Sequence, residues 1–385
     1  MNSRRSMWIV AICLSGALLV PTRTAAQSNQ DRLVSQIQSH TRSGFAYVAN
    51  RSSNSVSAFE IDGNTGALTS SSGVAPFQAG NGPIFVVANA KFVFVADLGS
   101  FQVSGYSIDR LTGALTQVPG SPFDAGPNPE SVCLSPSGKF LYATDSDDGS
   151  GSIAAWSVDP KTGVLTTIPG SPYPAGVEPI WMAFSRKGTF AYVTDIASNQ
   201  VLGYTVDQHT GALAPIAGSP FGTGSFPWSV ATDTSADFVY VANSGSNDIS
   251  AYQASDTGAL TSIAGSPFMA GTAPLSITID PLGMFAYVTN ADSDNISAYT
   301  IDPQTGALIS INGSPFSAGL SPNSAVVDPS RKFFYVNNAG SANISAYTID
   351  SATGTLTQIA GSPFPEWGSE PSSIAVSGVR GTARW

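Results

Sequence analysis

From residue 44 onward the chain is a succession of short apolar or alternating runs, each cut off by Gly, Pro, Asn, Asp or Ser. None is both long and periodic enough for a globular helix, so the pattern is one of strands and turns. The runs repeat. A six-residue aromatic motif occurs as FAYVAN from Phe45, FVFVAD from Phe92, FLYATD from Phe140, FAYVTD from Phe190, FVYVAN from Phe238, FAYVTN from Phe285 and FFYVNN from Phe333, at spacings of 47 to 50 residues. Thr-Gly-x-Leu follows each copy, beginning at Thr65, Thr112, Thr162, Thr210, Thr257, Thr305 and Thr353. Gly-Ser-Pro-aromatic closes the second to seventh units, from Gly120, Gly170, Gly218, Gly265, Gly313 and Gly361; the first unit has Ala75-Pro76-Phe77 instead.

Each unit holds four such runs, which predicts a four-stranded sheet with strands A to D. In the second unit A is Ile84 to Val87, B is Phe92 to Ala96, C is Val103 to Ile108, and D starts at Ala114. The Thr-Gly pair falls between C and D, where glycine can adopt the positive φ of a tight hairpin. One such sheet cannot bury both faces, and radial packing of several twisted sheets gives an all-β, seven-bladed propeller. The first unit begins with strand B and lacks an A strand. A spare A strand stands at Ser373-Ile374-Ala375-Val376 after Pro371. The ring is therefore expected to close by pairing this C-terminal strand with the N-terminal blade, removing two open edges.

Ahead of the repeats, Arg4 and Arg5, the apolar stretch Met7 to Val20 and the small residues Ala25-Ala26 read as a secretory signal. The stretch is too short to span a bilayer comfortably. The expected organisation is a signal over 1–26, a polar leader over 27–43, the propeller over 44–377 and a tail over 378–385. The protein is then exported, to the periplasm, the medium or the cell surface, as a monomer with no membrane insertion after cleavage. Loss of Arg4, Arg5 and Arg23 with no acid takes the formal charge from -10 to -13, which disfavours nucleic acid as a partner. Cys13 leaves with the signal, so Cys133 alone remains, excluding an internal disulfide and a multi-cysteine zinc site.

In a propeller the D-to-A and B-to-C loops share one face with the mouth of the central channel. Asp97, Asp145, Asp147, Asp148, Asp195, Asp292 and Asp294 fall there from B-to-C loops, with Glu130, Glu178 and Glu370 near A-strand starts. Most lysines and arginines of the blades fall on the other face; Arg51 is the exception. Phe85, Trp181, Trp228 and Trp367 approach the mouth. Carboxylates beside aromatic faces suit a sugar, a cation or a basic peptide segment. Phe85, Asp97, Asp145, Trp181, Asp195 and Trp228 are the candidate ligand-binding residues. Asp97, Asp145 and Asp195 share their place with Asn50, Asn243, Asn290 and Asn338, which also fits a turn-forming role. No cofactor is evident. Asp145, Asp147 and Asp148 carry hard oxygens of the kind calcium takes, without the spacing of an EF-hand. Nucleophile-elbow, zinc-protease and phosphate-loop motifs are all missing. His40 and His209 lie away from the acidic face, so a general base there would be a carboxylate with a raised pKa.

The Tyr-Val-Thr-Asn core at Tyr287 to Asn290 resembles the repeat of surface-layer propellers. The run PSGKFLYATD at Pro136, FVFVADLGSFQVSGYSID at Phe92 and the Thr-Gly-x-Leu turn resemble the bacterial lactonase propellers that include 6-phosphogluconolactonase. That resemblance covers about 44 to 377 and implies the fold. The family often has His after the Pro that opens an A strand and Glu after the B-strand Asn. Here the first places hold Ile84, Glu130, Ile180, Trp228, Leu275, Asn323 and Ser372, and the second Arg51, Leu98, Ser146, Ile196, Ser244, Ala291 and Ala339. Only Glu130 carries over, as a displaced acid. The first expectation is a binding or scaffold module that offers its acidic, aromatic-lined face to a carbohydrate or an envelope protein. The alternative is a lactonase-like hydrolase of a sugar lactone, in which Glu130 or Glu178 activates water and Arg51 or a metal steadies the oxyanion.

Overall fold

The computed structural model of the chain describes residues 42–71, 76–147, 149–233, 238–366 and 368–378. The expected signal and nearly all of the leader lie outside the described residues, as do His40, Asp148, Trp367 and the tail beyond Gly378. Seven antiparallel sheets form a propeller, and each interface between neighbouring blades holds one apolar cluster. The core is thus divided among the gaps between sheets, as expected where no sheet can bury its own faces. Among the described residues there is no α-helix and no helix long and apolar enough to cross a membrane.

In the second blade strand A is Pro83–Ala88, B is Phe92–Asp97 and C is Gln102–Ile108. The expected single strand D is two segments, Leu115–Gln117 and Phe123–Asp124, both pairing with C. The interruption is the Gly-Ser-Pro motif, whose proline has no amide to give to the ladder. Its serine fills the gap: Ser121 Oγ accepts the amide of Gly105 at 2.9 Å, and the corresponding serines of the other five such blades do likewise at 2.8 to 2.9 Å.

The closing strand, Pro371–Gly378, pairs antiparallel with Arg42–Asn50, from Gly44 opposite Gly378 to Asn50 opposite Pro371. Ile374 is buried against Ala46, Val48 and the seventh blade, so the strand seals both a sheet edge and an interface.

Phe-x-Tyr at the head of six of the seven B strands puts both rings on one face, because side chains two apart in a strand point the same way. That face meets the Thr-Gly turn of the next blade. Tyr47 donates its hydroxyl to the carbonyl of Gly113 at 3.1 Å, and Tyr142, Tyr192, Tyr240 and Tyr287 repeat the bond at 2.7 to 2.9 Å. Tyr335 carries it across the closure to Gly66 at 2.8 Å. Blade two has Phe94 at this place. The turn glycine is required twice over: Gly113 has φ +73°, and a Cβ there would stand 2.4 Å from the ring of Phe45.

Candidate functional site

The residue after the opening proline of each A strand sits in a β-bulge. Pro83 pairs with Asp97 and Phe85 with Ala96, leaving Ile84 unpaired between them, and the irregularity recurs at every A strand including Ser372 of the closing one. A bulge re-aims the side chain it carries. Ile84, Glu130, Ile180, Trp228, Leu275, Asn323 and Ser372, one from each A strand, line a single cavity of about 390 Å³ together with Arg51, Leu98, Phe85 and Trp181. The cavity is the mouth of the channel.

Glu130 is the one acid in that ring, and it is half-buried. Ser146 Oγ donates to its Oε1 at 2.8 Å and is the one side chain that hydrogen-bonds it among the described residues. Burial pushes its carboxyl above the ordinary glutamate range; the Ser146 bond opposes the shift, nearby Glu178 adds to it and Arg51 works against it. Arg51 stands on the same cavity wall and makes no ion pair among the described residues. A carboxylate with a raised pKa beside an unpaired guanidinium can take a proton from water and neutralise a developing oxyanion.

Phe85 and Trp181 meet edge to face in the cavity, with centroids 4.5 Å apart and planes at 86°. They occupy the second position after the opening proline. The other blades have Ser131, Ser229, Ser276, Ser324 and Ser373 there, and those serines are buried. Ser131 lies on the blade between them, and its small side chain leaves room for the two rings to touch. Trp228 completes the aromatic lining.

The remaining candidates sit elsewhere. Glu178 is exposed and does not line the cavity, because it precedes its proline where Glu130 follows one. Asp97, Asp145 and Asp195 are buried beneath the D-to-A loops. Asp145 Oδ1 accepts the amide of Asn128 at 2.9 Å, and Asp195 accepts those of Val177 and Glu178 at 3.0 Å. Asn290 and Asn338 hold Gly271 and Gly319 in the same manner at 3.1 Å. Asp97 lacks such a bond, as do Asn50 and Asn243, whose side-chain oxygens are likewise buried without a partner among the described residues. Asp97 takes the Ser104 hydroxyl at 2.5 Å on Oδ2, while Oδ1 is buried without a partner among the described residues. Burial outweighs the Ser104 bond and pushes its carboxyl up to about 7. Asp147 is exposed, and no three His, Cys, Asp or Glu side chains are grouped to hold a metal among the described residues. His209 lies exposed in its C-to-D turn, on the opposite face. A smaller pocket of about 150 Å³ on that face, at the closure seam, has Arg110 as its one charged residue and offers no general base.

Ring positions such as Leu98, Leu275 and Asn323 are cavity residues that charge and aromatic content do not single out. The signal that finds them is their shared place one residue after the proline or after the B-strand Asx.

Solved structures with this fold include a protein of Bacteroides uniformis provisionally assigned as a 6-phosphogluconolactonase, at 18% identity, covering 87% of this chain and 99% of that one with a TM-score of 0.72. A Bacteroides fragilis protein with the same provisional assignment matches at 19% identity, 87% and 98% coverage and a TM-score of 0.72. The periplasmic gluconolactonase of Pseudomonas aeruginosa matches at 18% identity, 86% and 98% coverage and a TM-score of 0.69. Among curated proteins no significant match was found. A family model described as "Lactonase, 7-bladed beta-propeller" matches residues 17–125 and 124–319. That match spans well over half of the chain and agrees with the seven blades and their closure: the protein belongs to the lactonase family of seven-bladed β-propellers.

Proposed function

We propose that the chain is a lactone hydrolase acting in the channel cavity, with Glu130 as general base. The observation that carries this reading is a half-buried glutamate of raised pKa, set on a bulge into the channel-mouth cavity with an arginine that makes no ion pair among the described residues on the same wall. Membership of the lactonase family and likeness to proteins named as gluconolactonases support the choice of ester. The expected binding surface loses support for a physical reason: Asp145 and Asp195 hold loop amides, and Asp97 is fully buried, so these carboxylates do not face a ligand.

The step balances as a hydrolysis. Glu130 takes a proton from water, the water oxygen bonds to the lactone carbonyl carbon, and the guanidinium of Arg51 neutralises the oxyanion. The carbonyl re-forms, the ring C–O bond breaks, and the ring oxygen takes the proton back from Glu130 to give the hydroxy acid. Ser146 is a positioning residue that holds one carboxylate oxygen. Because the base must be ionised, activity rises with pH through its raised pKa, and the acid limb lies above the ordinary glutamate value of about 4.3.

Export is part of the same reading, supported by the charged start and apolar stretch of residues 4–20 and by the periplasmic relative. The test is a pH-stat assay of the purified protein on a panel of lactones, beside Glu130→Gln and Glu178→Gln. Turnover above spontaneous opening, lost roughly 100-fold or more in Glu130→Gln and kept in Glu178→Gln, is the expected result. Absence of turnover, or a Glu130→Gln variant as active as the parent, overturns it.

A further inference from the structure

Besides its tryptophans, the cavity has four polar or charged lining side chains among the described residues, and two of them are already engaged by the protein. Asn323 accepts the Asn337 amide at 2.7 Å on its oxygen and points its own amide to the carbonyl of Pro371 at 3.3 Å. Ser372 lies with its hydroxyl between the carbonyls of Ala49 and Pro83, at 3.0 and 2.9 Å. Its one proton is therefore committed. What is left for a ligand among the described residues is Arg51 and the free oxygen of Glu130, which the hydrolytic step uses on the ester itself, with one amide hydrogen of Asn323 and the indole N–H groups of Trp181 and Trp228 as the further donors.

Apart from the two indole N–H groups, the rest of the described wall is aliphatic or aromatic: Ile84, Leu98, Ile180 and Leu275 around the sides, with the Phe85 and Trp181 pair and Trp228 among them. A polyhydroxylated ring entering here gives up several water hydrogen bonds and finds no replacement for most of them. A phosphate meets one guanidinium and, on the same wall, a carboxylate that repels it. An apolar body, by contrast, covers the aromatic faces and releases their water.

We infer that the cavity takes an uncharged lactone bearing an apolar substituent, such as an alkyl δ-lactone, in preference to a sugar lactone or its phosphate. This rests on the hydrolase reading for the reacting group alone. The apolar preference follows from the lining. Phe85 and Trp181 are its specificity residues, standing where five other blades have serine.

Binding to the full chain is measured by titration calorimetry with two unreactive lactams, 6-pentylpiperidin-2-one and glucono-δ-lactam, and with open-chain 6-phosphogluconate as the charged probe. The alkyl lactam is expected to bind at least about tenfold more tightly than either of the others. Phe85→Ser and Trp181→Ser are expected to lose most of that margin, and thermal melts of each variant check that serine is tolerated as it is in the other blades. Equal or tighter binding of the sugar-derived probes overturns the inference. So does a margin that survives both substitutions, or no binding of the alkyl lactam. Parallel turnover assays separate the two readings. Sugar lactone hydrolysis without apolar preference defeats this inference alone, whereas alkyl lactam binding without hydrolysis of the matching lactone defeats the hydrolase reading alone.

Discussion

The Phe-x-Tyr clasp and the channel ring are built from the same seven repeats, yet they are filled in opposite ways. At the clasp six blades use the same tyrosine for the same bond to the next turn. At the ring, the residue after the proline is Ile, Glu, Ile, Trp, Leu, Asn and Ser in turn. A contact that every blade must make with its neighbour has one solution, repeated. A position that faces a shared cavity is released from that constraint, and its variety describes a ligand in place of a fold.

The sharpest way to break this comparison is to remove the closing strand. Truncation after Glu370 opens the innermost edge of the first blade and uncovers the cluster around Ile374; it is expected to cost several kcal/mol and to promote oligomers, read by thermal melts and light scattering. An unchanged melt and a monomeric product would show that closure contributes little. Glu130→Gln comes next. It should abolish most turnover while leaving stability nearly unchanged, because Glu130, unlike Asn323 and Ser372, is hydrogen-bonded within its own blade, to Ser146.

Asp97→Asn probes a buried carboxyl at a position where four of the seven blades have asparagine. The folded Asp97 carboxyl holds its proton up to about pH 7, whereas the unfolded one releases it near the ordinary value of about 3.9. Between those limits the folded state binds more protons, so stability falls as pH rises from about 4 to about 7 and then levels off. Asparagine, as at Asn50 or Asn338, can give its amide to the facing serine, Ser57 or Ser345, at 2.9 Å. The variant should gain ~1–3 kcal/mol at pH 8 and less at pH 4, measured by chemical denaturation at both. A gain that is the same at both values would place its origin outside this carboxyl. The smallest effect belongs to a single clasp: Tyr142→Phe should cost ~1 kcal/mol, leaving the carbonyl of Gly211 without its donor.

The repeat and the closure were legible in the sequence, as a motif at fixed spacing and as an A strand missing at one end and spare at the other; the bond from the motif's tyrosine to the next turn was not, because the motif does not say what its rings meet. The split of strand D was less so, although a proline inside an outer strand is the mark of an interrupted ladder. The bulge was invisible as geometry and announced only by the proline before it. Among the acids, composition pointed to a face and could not say which carboxylates were free. Asp145 and Asp195 are spent on loop amides, and Glu178 and Glu130 differ by falling on opposite sides of a proline.

The pairing of Phe45 with Ser377 joins residues 332 positions apart. During synthesis the first blade therefore emerges early, with its innermost place vacant, and stays so until almost the whole ring has been made. No earlier stage of the chain is free of an open edge. The final strand works as a check on completeness, since only a chain carrying all seven units can supply the partner that the first one awaits.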